Sequence, residues 1–150
     1  MKLTVSKLNN FLLFKLPSAF FFFFFLNKID VNKFFVSVKH RWINQNPFNS
    51  MYFEVQVIAA ELSTGALVMF QIAKSGRKIS MLVANNKGNF TKKATGRITF
   101  TCNDGHLIEK AILETIATGE GQTFWMKSIG TNETGIQVSE MDFEWSVRVK

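Results

Sequence analysis

An α+β fold with an antiparallel sheet is what this 150-residue sequence predicts, and three observations predict it. Met51–Gln71 contains no Pro and only one Gly, Gly65, within about twenty mostly apolar residues, the pattern of one long helix buried on all sides. Strand-like runs precede and follow that helix, with one helical insertion among them. The last run alternates plainly: Met141, Phe143, Trp145 and Val147 take one parity and Asp142, Glu144, Ser146 and Arg148 the other, as in a half-buried antiparallel strand. No repeat or linker divides the chain, so residues 1–150 are expected to form a single domain.

Taken in order, residues 3–14 read as a short amphipathic helix, and Pro17 opens a second helix through the Phe20–Phe25 block to Leu26. Six consecutive Phe point around the whole helical cylinder, so some rings must meet a partner subunit, a lipophilic ligand or solvent. Ile29–His40 reads as a strand, with Phe34, Val36 and Val38 on one face and Lys33, Ser37 and Lys39 on the edges or the other face. The loop Arg41–Ser50 leads to the long helix, with Ser50 as its expected N-cap. Lys74-Ser75-Gly76-Arg77-Lys78 forms a basic turn. Strands are expected at Ile79–Asn85, Gly96–Cys102, Gln122–Ser128 and Ile136–Val149. Asp104 should cap a helix from Gly105 to Thr118, closed by Gly119, with Leu107, Ile108, Ala111, Ile112, Thr115 and Ile116 at helical spacing on a sheet face.

Composition narrows the function classes. One cysteine, Cys102, excludes an internal disulfide framework, and cytoplasmic residence is expected. No signal peptide is expected, because Lys15 and Pro17 interrupt the first apolar run and no small-residue cleavage site follows the Phe block. Residues 51–73 are long enough to span a bilayer, but Glu54, Gln56, Glu61 and Gln71 make a core helix the cheaper reading. The net charge of +7 comes from the first two thirds of the chain: residues 101–150 hold four Lys/Arg against eight acids. Such a surface suits an anionic partner, whether a phosphorylated cofactor, nucleic acid or an anionic membrane. No nucleic-acid function is expected, since the Lys/Arg are scattered and no single-strand-binding motif appears.

Within the long helix, Glu61 is a carboxylate where carboxylates are expensive, so it must be paired, protonated or used. Cys102, Asp104 and His106 form a triad on paper only, with Asp104 read as a cap and Cys102 as core. Metal-ligand spacing is absent and no metal or cofactor is expected. Gly119-x-Gly121 reads as a turn.

Asn46-Pro47-Phe48-Asn49-Ser50-Met51-Tyr52-Phe53, running into a helix with Ala60-Glu61-Leu62 and Gly65, resembles the hotdog-fold thioesterases, in the branch with an Asn-Pro-Phe-x-Ser signature near the phenylacetate-degradation type. Phe90-Thr91-Lys92-Lys93-Ala94-Thr95-Gly96 and Trp145-Ser146-Val147 are similar to further segments of that family. The resemblance implies a hotdog fold: a long central helix wrapped by a curved antiparallel sheet, two protomers pairing edge to edge in a homodimer or tetramer. It implies acyl thioesters of coenzyme A or acyl carrier protein as substrates, without a metal. It places the acid at Glu61 and the carbonyl-polarising backbone N–H near Tyr52 and Phe53. Asn46 then joins the catalytic candidates. Asn49, Lys92, Lys93 and Arg97 are candidates for holding substrate, the cations through its phosphates; Arg77 and Lys78 could help them.

Two consequences follow. Many catalytic members carry His-Gly-Gly before the helix, where this chain has Tyr52-Phe53-Glu54, so a non-catalytic acyl-CoA or lipid binder is the alternative. Tyr52 and Glu61, nine residues apart, fall on opposite helix faces roughly 13 Å apart along the axis, so a site using both must draw on two subunits.

Overall fold

In the computed structural model of this chain, the described residues are 25–150 together with 6, 7, 10 and 14–18. Most of the expected N-terminal helices, and Phe20–Phe24 of the aromatic block, lie outside them. Six strands form one antiparallel sheet: β1 (Phe25–Ile29), β2 (Phe34–Lys39), β3 (Ile79–Phe90), β4 (Arg97–Cys102), β5 (Gln122–Thr131) and β6 (Gln137–Val149), in the order β1-β2-β4-β5-β6-β3. Two helices complete it, α1 (Phe53–Ser75) and α2 (Gly105–Thr118).

The sheet curves around α1, which packs on β2, β4 and β5 and reaches β6 and β3. By length and composition α1 could cross a bilayer, but 67% of its most apolar stretch is buried inside the fold. Ala59, Ala60, Leu67 and Val68 are fully buried against Phe34, Val36, Ile98 and Phe100 of the sheet. Each large aliphatic removed from water in this way contributes about 1.5–3 kcal/mol. Ser63 of α1 is satisfied in place: its Oγ donates to the Ala60 carbonyl (2.7 Å) and pairs with Ser128 Oγ (2.7 Å). α2 then covers β5 and β6, burying Ile108, Ala111, Ile112 and Thr115 but leaving Leu107 at the rim.

Three expectations are corrected. Phe25 and Leu26 belong to a strand, not a helix end, because they pair with Ser37 and Val36 of β2. The run Ile29–His40 is not one strand: β1 ends at Ile29, and a turn in which Asp30 N–H donates to the Lys33 carbonyl (2.9 Å) precedes β2. Ser50 does not cap α1: the cap is Tyr52, since Gln45 and Met51 bridge and hold residues 50 and 51 outside the helix. Strand ends also move, β3 running on to Phe90 and β5 to Thr131. Ser37, expected at an edge or on the other face, is buried along with its neighbours.

At Gly130 on β5, an added Cβ would stand 2.6 Å from the Phe100 ring and 2.8 Å from Ser139 Oγ, both fully buried groups. Gly130→Ala is therefore expected to cost about 1–3 kcal/mol through overpacking. Urea denaturation of the variant checks this, and an unchanged midpoint would contradict it.

Candidate functional site

The loop before α1 is built by two asparagines. Asn44 Oδ1 accepts from Arg41 N–H (2.8 Å) and its Nδ2 donates to the Lys39 carbonyl (3.0 Å), which holds the 3-10 turn Trp42–Asn44. Asn46 Oδ1 accepts from Phe48 N–H (2.9 Å) and Ser50 N–H (3.2 Å), while its Nδ2 lies 3.0 Å from Ser50 Oγ. Asn49 adopts the left-handed conformation at φ 56°, which asparagine tolerates better than most residues. Met51 N–H donates to the Ala94 carbonyl (2.8 Å), tying this loop to the segment between β3 and β4.

Between these two segments and the start of α1 lies a cleft of about 490 Å³, lined among others by Asn46, Tyr52, Phe53, Gln56, Lys92 and Lys93. A second, mostly apolar groove of about 150 Å³ adjoins it, lined by Val57, Asn86, Lys87, Gly88, Met141 and Phe143. Phe53 and Phe90 line both, and their rings meet edge to face at 5.9 Å.

Five of the sequence candidates thus come together: Asn46, Tyr52, Phe53, Lys92 and Lys93. Their chemistry differs. Tyr52 N–H is already donated to the Asn44 carbonyl (2.9 Å), so it offers nothing to a ligand. Phe53 N–H, in the first turn of α1, has no carbonyl four residues back in the helix and makes no bond among the described residues. The helix dipole adds a partial positive charge there. Lys93 Nζ reaches the Phe48 carbonyl (3.3 Å).

Glu61, Asn49 and Arg97 do not line the cleft. Asn49 shapes the loop, and Arg97 starts β4 opposite Lys39 of β2. Glu61 lies on α1 against Trp145: a Cβ placed on Gly65 would be 3.1 Å from Glu61 Oε1 and 3.0 Å from the Trp145 ring. Burial pushes the Glu61 carboxyl up to about 7. Its carboxylate makes no hydrogen bond or ion pair among the described residues.

The Cys102 thiol is fully buried and burial pushes it up to about 12. Asp104 sits at the start of α2, but its carboxylate accepts from Lys127 N–H (2.7 Å) rather than capping the helix. These residues form no nucleophilic triad. Among the described residues no His, Cys, Asp and Glu cluster could hold a metal ion.

Sequence reasoning passed over Gln56 and Phe90. Gln56 is 4% exposed, lies three residues after Phe53 on the same helix face, and accepts a hydrogen bond at Oε1 from Ser139 Oγ (2.9 Å). An amide one turn inside an otherwise apolar helix was the available signal.

Solved structures share this architecture. A Pseudomonas aeruginosa protein of unknown function, described as a "probable thioesterase", superposes with a TM-score of 0.85 at 21% identity, covering 100% of this chain and 99% of its own. A Haemophilus influenzae thioesterase gives 0.76 at 12% identity, covering 99% and 93%. A Staphylococcus aureus thioesterase, solved as a Gln-to-Ala variant, gives 0.70 at 14% identity, covering 88% and 98%; the same protein was solved with a Glu, fifteen residues further on, changed to Ala. No curated protein matches the chain by sequence. The profile of the family described as "Domain of unknown function (DUF4442)" matches residues 10–147. The chain therefore belongs to the DUF4442 family and has the hotdog fold of thioesterase-like proteins.

Proposed function

We propose that this protein binds and hydrolyses an acyl thioester of coenzyme A or acyl carrier protein, acting in the cytoplasm as a homodimer or tetramer. The observation that carries this reading is the unspent Phe53 N–H at the positive end of α1, opening on the cleft beside Lys92 and Lys93. A backbone donor in that place suits the developing oxyanion of a thioester under attack. Lys92 and Lys93 would meet the phosphates of the carrier, and the apolar groove beyond Phe53 and Phe90 would take the acyl end.

Glu61 would act as the general base for water, or as the nucleophile, in the cleft of a second copy. β3 supplies the means of pairing: among the described residues it pairs with β6 alone and ends the sheet with a twelve-residue edge, which invites a second β3. Asn46 and Glu61 have the same fifteen-residue separation as the replaced Gln and Glu of the Staphylococcus aureus thioesterase. In this chain Asn46 serves the reading by holding the loop that shapes the cleft.

One observation favours the alternative of a non-catalytic acyl-CoA or lipid binder. The Tyr52 and Phe53 rings, 5.3 Å apart, stand where close-approach glycines would otherwise admit substrate. A panel of acyl-coenzyme A thioesters from acetyl to palmitoyl separates the two: turnover supports the enzyme, and saturable binding without turnover supports the binder. If neither is seen, both readings fall. Gel filtration adds the oligomer, since a monomer would contradict a shared site.

The same panel gives an acyl-length prediction. A 150 Å³ apolar cavity holds a group about the size of benzene, so acyl ends of roughly six carbons or fewer should be preferred. Phe90 folds over Gly88, where an added Cβ would meet its ring at 3.1 Å. Phe90→Ala should move the kcat/KM optimum to longer chains; an unmoved optimum would show that the acyl end lies elsewhere.

A further inference from the structure

The polar groups that line the cleft are nearly all spent on the protein itself. Asn46 and Ser50 bond each other and the loop backbone, the Thr91 hydroxyl donates to the Val138 carbonyl (3.2 Å), and Lys93 Nζ gives one of its three N–H bonds to the Phe48 carbonyl. Gln56 is different. Its Oε1 is held by Ser139 Oγ, itself fully buried, and its NH2 has no partner among the described residues. That nitrogen is not sealed off, so its N–H bonds stay within reach of whatever enters the cleft.

The residue is 96% removed from solvent by its 4% exposure, yet it lines the cleft one turn beyond Phe53. Ser139 fixes which way the amide faces. A hydroxyl donating to Oε1 ties that end of the amide to the sheet, so the NH2, which has no partner among the described residues, is the end that Gln56 offers a ligand. The matching ligand group is a carbonyl oxygen.

We infer that the Gln56 NH2, oriented by Ser139, holds the carbonyl oxygen of the acyl ligand together with the Phe53 N–H. Resting on the thioester reading above, this makes Gln56 a ligand-contacting residue and Ser139 a positioning residue. It also supplies a second donor in a chain whose helix start lacks the usual glycines. Two donors, one from the backbone and one from a side chain fixed by the sheet, form a preorganised pair.

The test uses two stable analogues of hexanoyl-coenzyme A: a ketone, in which CH2 replaces sulfur and the carbonyl remains, and the S-hexyl thioether, which has no carbonyl. Calorimetry on the whole wild-type protein should show the ketone bound up to about a hundredfold tighter, about tenfold for each of the two hydrogen bonds. Gln56→Glu keeps the acceptor that Ser139 requires and replaces the donor with an oxygen, so the preference should fall at least about tenfold, leaving no more than the share of the Phe53 N–H. Gln56→Met should lower it about as far, while Ser139→Ala should reduce it less by letting the amide turn over.

Preference undiminished in both Gln56 variants would overturn the role of Gln56 while leaving the thioester reading intact. Equal wild-type affinity for the two analogues would overturn carbonyl recognition at this site. Binding of neither analogue would remove the thioester reading and this inference with it.

Discussion

Replacing Glu61 by Gln should lower thioester hydrolysis by two to four orders of magnitude while leaving acyl-ligand binding within a few fold, the usual span for loss of a general base. The base must be unprotonated to act, and its carboxyl titrates near 7. The wild-type kcat should therefore rise through neutral pH and level off above it. The same group acts on stability with the opposite benefit. Below about pH 4.5 both folded and unfolded chains hold the proton. Above it the unfolded chain releases the proton while the folded chain keeps it up to about 7. The unfolded state then binds fewer protons, so stability falls as pH rises through that window. With each pKa unit worth about 1.4 kcal/mol, the loss approaches about 3 kcal/mol by pH 8. Glu61→Gln has no proton to lose and should escape it. Denaturation of both proteins at pH 5 and pH 8, beside pH–rate curves, reads the two effects together. Full activity in the variant would end the catalytic role, and identical pH dependence of stability would show that burial does not hold the proton.

How much of this was legible in the sequence depends on what each element is made of. α2 was legible to the residue, because Asp104 and Gly119 punctuate a clean helical repeat. The interior of α1 was legible for the same reason, a long apolar run with one glycine. Its start was not. Ser50 has the chemistry of a cap, but Asn46 claims it through bonds that only the folded loop makes. The β1–β2 turn was hidden because Ile29-Asp30-Val31-Asn32 alternates as a strand would and no Gly or Pro marks the break, which shows only as a change of parity at Lys33. The loop residue Asn46 and the lysine pair that line the cleft were readable as local motifs. Gln56 was not, since its importance comes from Ser139, 83 residues away, which turns an ordinary core amide into a one-sided donor.

Burial raises the Glu61 carboxyl, and Trp145→Ala should show how much of that cover the indole supplies. Trp145 is 3% exposed, its indole N–H donates to Thr64 Oγ1 (3.0 Å), and Thr64 Oγ1 donates in turn to the Glu61 carbonyl (2.9 Å). The ring lies against Gly65, one turn beyond the carboxylate, and Gly65 is where no side chain keeps it away. Truncating a buried Trp typically costs 3–5 kcal/mol, a large share of the 5–15 kcal/mol that holds a domain together. Water entering the vacated space would solvate the Glu61 carboxylate and lower its titration point toward the ordinary value near 4.5. Trp145→Phe separates the two effects: it keeps most of the apolar cover and forfeits the indole N–H, so stability should drop by only about 1 kcal/mol with Glu61 still raised. Carboxyl titration by NMR in the three proteins checks the order. A Glu61 that titrates alike in wild type and Trp145→Ala would mean that the helix packing of Ala60, Leu62 and Thr64, rather than the indole, keeps water from the acid.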